Sequence, residues 1–219
     1  MRICVVGATG WIGGSVMREA LSQGLEVTAV GHNAERLAAL DGVPTAVADV
    51  LDTDQLAGVI RGHDAAVCAV TDRSTDDRSI IPRAARSVLA ACERAGVNRL
   101  VFCGGGGSLE VRPGVRAIDE PDFPPQHRPE AQAQAEALEI LRSADTSVEW
   151  TYASPPPRHL ERGEKRGGYH ARVGDTQVVD DQGESRLTAG DFAVAIVYAL
   201  TEHVSVNGRF TAAYMDVEA

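Results

Sequence analysis

No stretch of this chain is long and apolar enough to cross a bilayer as a helix. The longest uninterrupted apolar run, Phe192 to Leu200, has nine residues, against the roughly 20 that a spanning helix needs. Basic residues are also in deficit: Lys and Arg number 21 against 31 Asp and Glu, a formal charge of −10, with no basic tract. Nucleic-acid and anionic-membrane binding draw their affinity from clustered Lys and Arg, so no nucleic acid and no membrane are expected as partners. Cys4, Cys68, Cys92 and Cys103 lie far apart in apolar segments, with no CxxC pair and no His at ligand spacing. That argues against a metal site and reads as four buried thiols in a reducing compartment. Met1 to Val6 runs straight into glycine without an apolar stretch of signal-peptide length, so a cytoplasmic protein is expected. With Gly 22 and Pro 10 in 219 residues, composition stays below the low-complexity range. The length suits one domain over residues 1–219 with a sizeable core.

Short Val-rich runs alternate with amphipathic stretches. Ile3–Val6, Glu26–Val30, Thr45–Ala48, Ala65–Val70 and Leu100–Cys103 have the length and continuity of strands buried on both faces. Between them, residues 12–23 carry Ile12, Val16, Ala20 and Leu21 at helical spacing, and 79–95 carry Ile81, Ala85, Val88, Leu89 and Cys92. A further helix is expected near 129–143 and a strand near Ser147–Tyr152. The pattern predicts an α/β fold, a doubly wound parallel sheet of the Rossmann type flanked by helices. From Ser154-Pro155-Pro156-Pro157 to Gly167-Gly168 the rhythm breaks into an expected loop over the carboxyl edge of the sheet. Residues 153–219 would shape the substrate pocket, with regular pattern resuming at Leu187–Leu200 and Arg209–Tyr214.

Immediately after the first strand comes Gly7-Ala8-Thr9-Gly10-Trp11-Ile12-Gly13, opening the first helix. Gly7 permits a tight turn, Gly10 lets backbone approach a pyrophosphate, and Gly13 lets the helix pack close to the strand. Free N–H groups at the helix start attract the anion.

The GxxGxxG spacing with Ala-Thr between its first glycines resembles that of the atypical short-chain dehydrogenase/reductases. These include the NmrA-like group and, most similar, the small NADH-flavin reductases, all of the NAD(P)-binding Rossmann fold. Gly104 to Leu109, Pro121-Asp122-Phe123-Pro124, Pro129-Glu130-Ala131, Ala135 to Leu138 and Gly183-Glu184-Ser185-Arg186 extend the likeness nearly end to end. The resemblance implies NAD(P) binding and hydride transfer to a flavin, quinone or similar aromatic acceptor. It places Asp49 and Val50 at the adenine, although Asp49 equally suits a turn carboxylate. It places Ala69-Val70-Thr71 beneath the nicotinamide ribose, with Thr71 replacing a small glycine common there. Val30-Gly31-His32-Asn33 offers no acid for the 2′-hydroxyl of NAD. His32 stands where NADP-preferring relatives usually carry Arg, leaving Arg36 and His32 as the partners of a 2′-phosphate. NADP is the favoured cofactor and NAD an alternative; Arg36 equally suits a solvated helix face.

The Tyr-xxx-Lys pair of many short-chain reductases is absent. The expected helix start reads Gln126-His127-Arg128-Pro129-Glu130-Ala131, and the chain's only lysine is Lys165. Ser108, after the fifth strand, could orient an acceptor's oxygen or merely satisfy loop backbone. His127 is the alternative acid. Gly106 and Gly107, within a run of four glycines, would let a flat ring approach or form an irregular loop. Tyr152, Pro155 and the cations Arg158, Arg162, Lys165 and Arg166 could border the acceptor pocket. Two other functions fit the same motifs: isomerisation, epimerisation or dehydration of a specialised metabolite, and a non-catalytic NADP sensor of the NmrA-like kind. The oligomeric state stays open.

Overall fold

A computed structural model describes residues 1–71 and 77–215. Five strand–helix units open the chain: β1 (Arg2–Val6), α1 (Trp11–Ser22), β2 (Glu26–Gly31), α2 (Ala34–Ala38), β3 (Thr45–Val47), α3 (Thr53–Ile60), β4 (Ala65–Cys68), α4 (Ile80–Ala95) and β5 (Arg99–Cys103), followed by a small ribbon, β6 (Glu110–Arg112) and β7 (Val115–Arg116), and then α5 (Arg128–Ser143). The remainder is β8 (Glu149–Ser154), β9 (His159–Glu161), β10 (Tyr169–Val173), β11 (Arg186–Thr188), α6 (Ala189–Thr201) and β12 (Gly208–Tyr214). The main sheet has eight strands in the order β10-β12-β8-β5-β4-β1-β2-β3, parallel throughout except for β10 at one edge. It is the doubly wound Rossmann-like sheet that the alternating pattern predicts.

Period-two alternation in β1 explains how one strand serves two cores. Ile3 and Val5 pack with α1 and α6 on one face, while Cys4 and Val6 pack with α3, α4 and α5 on the other. All four cysteines are buried thiols. Local chemistry sets the helix ends: Asp52 caps α3 by accepting from Gln55 N at 3.0 Å, and Asn33 caps α2 by accepting from Arg36 N at 2.9 Å. Helix α4 stops at Gly96, whose φ of 73° lets Gly96 and Val97 close the last turn onto Glu93 and Cys92.

Two segments depart from the sequence expectation. The stretch expected to be irregular from Ser154 to Gly168 contains β9, which pairs in parallel with β11. The exposed edge strand β10 carries no buried alternation because four of its five residues face solvent. Two expected strands end early, β3 at Val47 and β4 at Cys68, and the strand expected near Ser147–Tyr152 runs from Glu149 to Ser154. No helix among the described residues is long and apolar enough to cross a membrane.

Candidate functional site

The strand order reverses between β1 and β4, and a cleft of about 750 Å³ opens there, at the carboxyl ends of the strands. Its size lies within the roughly 300–1,000 Å³ of cofactor and small-molecule sites. One wall is the glycine loop. Gly7 has φ +86°, and a Cβ on it would stand 2.5 Å from the Ala69 carbonyl oxygen, so only glycine lets the loop pass β4. Gly13 lies outside the cleft, and a Cβ there would meet Gly7 O at 2.2 Å, which fits the close helix packing expected of it. Helix α1 begins at Trp11 with no side-chain cap and no acidic residue in its first turn. The first N–H groups of a helix lack intrahelical partners, so this end fits the diphosphate of a dinucleotide. Gly7, Thr9, Gly10, Trp11 and Ile12 all line the cleft.

His32, just past β2, and Arg36, in α2, are exposed and line the same cleft. Arg36 lies across the glycine loop, donating from Nη2 to Thr9 O at 2.6 Å. Asp49 and Val50 follow on the adjoining rim. The Asp49 carboxylate accepts from Leu51 N at 2.9 Å, the turn geometry that its residue type allows. Ala69, Val70 and Thr71 continue the floor.

The other end of the cleft is formed by Gly104 to Gly107, Phe123, His127, Glu130, Ala131, Gln134 and Pro155 to Arg158, among others. The glycine run is demanded by the protein's own packing. A Cβ would meet Tyr152 Cζ at 1.8 Å from Gly104, Gln134 Cβ at 2.8 Å from Gly105, Pro155 O at 2.3 Å from Gly106 and Ala131 Cβ at 2.7 Å from Gly107. The loop is therefore clamped between the Pro155–Pro157 segment and α5, with its backbone bare toward the cleft.

Besides Gly13, four expected site residues fall elsewhere. Ser108 is outside the cleft because buried Arg209 holds it: Arg209 Nη2 donates to Ser108 Oγ at 3.1 Å and Nη1 to Ser108 O at 3.3 Å. Tyr152 is fully buried beneath the glycine loop, not in the pocket wall. Its hydroxyl donates to Gln134 O at 2.7 Å and accepts from Gly105 N at 3.0 Å. Burial pushes its phenol up to about 12, against the lowering effect of the Gly105 N–H and of Arg209. Of the basic run, Arg158 and Arg162 line the cleft, but Lys165 is paired with Glu19 at 2.9 Å and Arg166 with Glu161 at 3.4 Å, both away from it.

Sequence reading alone did not single out Phe123 or Gln134 as wall residues. His127, Ala131 and Gln134 recur at helical spacing around the start of α5, and that spacing is the signal for the second. Phe123 sits between prolines in an irregular segment where no periodicity exists. No group of three or more His, Cys, Asp or Glu among the described residues could hold a metal ion.

A sequence profile for NAD(P)H-binding proteins matches residues 7–203. An uncharacterized Bacillus subtilis protein, YwnB, is 32% identical over 213 residues, 96% of this chain and 97% of that one. Among solved structures, a candidate NADH-flavin reductase from Streptococcus pneumoniae superposes with a TM-score of 0.85 at 26% identity, covering 98% of this chain and 99% of that one. A candidate epimerase from Bacteroides thetaiotaomicron gives 0.87 at 29% identity, over 100% and 99% of the two chains.

Proposed function

The chain belongs to the NAD(P)H-binding family, and on that premise we propose that it is a reductase, preferring NADP, that passes hydride to a flavin, quinone or similar planar aromatic acceptor. One observation carries this reading. A single continuous cleft runs from Arg36, over the uncapped start of α1, to the apolar wall of Phe123, Pro155 and Pro156, so a dinucleotide and a second ring can share it.

When bound, the nicotinamide cofactor supplies two electrons and a proton together as hydride. The residues of the chain bind and orient. Backbone N–H groups at the start of α1 face the diphosphate. Arg36 and His32 meet a 2′-phosphate, since Gly31-His32-Asn33 presents no carboxylate to a free 2′-hydroxyl and Asn33 is spent on capping α2. Ala69, Val70 and Thr71 form the floor beneath the ribose. The glycine-loop backbone after β5 offers a flat face to the acceptor ring, and Phe123 with the prolines keeps water from it. The second proton that a reduced flavin or quinone needs comes from solvent or from His127, which is exposed at that end of the cleft. Soluble-acceptor assays test this: the purified protein should oxidise NADPH with FMN or a quinone, and faster than NADH.

A second reading draws on the likeness to the candidate epimerase. In it the same cofactor is used transiently and regenerated within each turnover, and no net NADPH consumption accompanies product formation.

A further inference from the structure

Arg162 stands over the indole of Trp11, its guanidinium carbon 4.9 Å from the ring centroid, within cation–π range. Both residues line the cleft, and Trp11 is the first residue of α1, at the edge of the glycine loop. The neighbouring cations are committed to carboxylates: Arg158 to Asp122 through two bonds of 2.7 Å, Lys165 to Glu19, and Arg166 to Glu161. Among the described residues Arg162 makes no ion pair.

The backbone that carries Arg162 is pinned on both sides. Before it, β9 pairs with β11; after it, Gly190 N donates to Gly163 O at 3.1 Å. Lys165 then ties to Glu19 on α1, and Arg166 N and Gly167 N both donate to Asp191 at 2.9 Å. This strap lies along α1, crossing it at Trp11 and again about two turns later at Glu19. Its backbone is held while the Arg162 side chain has only an aromatic face beneath it, a weak contact at an exposed site.

We propose that Arg162 is a phosphate-binding residue that holds the diphosphate of the dinucleotide beside the start of α1, from the strap that crosses the helix at Trp11. The glycine loop offers that group backbone N–H donors but carries no cation of its own, and the guanidinium that lies across it, Arg36, is bonded to Thr9 O and assigned to the 2′-phosphate, in a chain of formal charge −10. A guanidinium parked on Trp11 needs only a rotamer change to supply the missing charge, and a charge-assisted bond to phosphate outweighs the ring contact it gives up. The proposal rests on the NAD(P)H-binding reading of the cleft and is independent of which acceptor is reduced.

The test is calorimetric binding of NADPH and of ADP-ribose, which keeps the diphosphate and lacks the nicotinamide, to the full chain and to Arg162→Gln. Both dissociation constants should rise about tenfold or more, the size of one lost charge-assisted hydrogen bond. Arg162→Lys should recover part of the loss, and the parent-to-variant ratio should narrow in high salt. The melting temperature of the ligand-free protein should stay within about 2 °C of the parent, as expected for an exposed side chain away from the core. Unchanged binding of both ligands to Arg162→Gln would overturn the proposal. So would unchanged cofactor binding with a raised KM for FMN but not for riboflavin, which would assign the guanidinium to an acceptor phosphate. If the parent itself bound neither ligand, the cofactor reading would fall and the proposal with it.

Discussion

Arg209 and Ser108, 101 residues apart, are joined twice: one guanidinium nitrogen donates to the serine hydroxyl at 3.1 Å and another to its carbonyl at 3.3 Å. The same guanidinium donates to Ser154 Oγ at 2.8 Å and to Asp175 at 3.1 Å, and Ser154 donates to Gly105 O at 3.0 Å. A single buried cation thus fixes the loop that forms one wall of the cleft.

Removing that cation strands several polar groups. Arg209→Met should destabilise the protein by about 3 kcal/mol, the usual cost of breaking a buried charged network from one side, which for a chain of this size lowers Tm by about 10 °C. Ser108→Ala should cost about 1 kcal/mol and leave kcat within about threefold of the parent. Denaturant unfolding and steady-state kinetics on the two variants check both. A hundredfold loss of kcat in Ser108→Ala would restore the serine to the chemistry.

Two glycines should respond oppositely to alanine. At Gly104 a Cβ would sit 1.8 Å from the ring of Tyr152, which cannot yield because its hydroxyl is bonded to Gln134 and Gly105. Gly104→Ala should cost about 3 kcal/mol through overpacking. Gly58 lies within α3 with nothing within 4 Å of a built Cβ, and Gly58→Ala should stabilise by about 0.5–1 kcal/mol. Urea midpoints of the two variants give the comparison.

Cofactor preference should follow Arg36. Arg36→Ala should weaken NADPH about tenfold or more, by loss of a charged hydrogen bond to the 2′-phosphate, and change NADH binding less than about twofold. Equal losses for the two cofactors would show that Arg36 acts only by bracing Thr9, whose carbonyl it meets at 2.6 Å.

Asp191 sets an acid limit to stability. Burial pushes its carboxyl up, but bonds from the Tyr214 hydroxyl, the N–H groups of Arg166 and Gly167, and Thr188 outweigh burial and hold it below the usual carboxylate range. Because the folded pKa is the lower one, its contribution is fully present above the unfolded value near about 4 and is lost as pH falls through the folded value. The stability gap between the parent and Asp191→Asn should therefore be constant from neutral pH down to about 5 and shrink below about 4. Unfolding free energies measured across that range show it.

The parallel sheet and the glycine turn were readable because their signals are local: β1, Gly7 to Gly13 and α1 lie within 22 consecutive residues, and their spacing states the geometry. Arg36 and His32 were readable for the same reason, being a fixed step past β2. The direction of Ser108 was not, since it is decided by Arg209 on β12, two strands away in the sheet and 101 residues later in the chain. Tyr152 looked like a wall residue because an aromatic near a proline-rich loop commonly is one; its burial follows from the space that Gly104 leaves for its ring. Arg99, a charged residue opening β5, is buried through bonds to Glu149 O, Ala199 O and Thr151 Oγ1, partners that periodicity cannot reveal. The strap and β10 escaped because exposed backbone tied down by single side chains leaves no apolar pattern.

Hydride transfer itself is tested most directly by anaerobic single-turnover kinetics with NADPH carrying deuterium at the transferred C4 position and FMN or a quinone as acceptor. The expected result is stoichiometric loss of NADPH with reduction of the acceptor, slowed by deuterium and dependent on the protein. Saturable binding of NADPH with no consumption on any acceptor of the panel would refute reduction as the activity of this cleft.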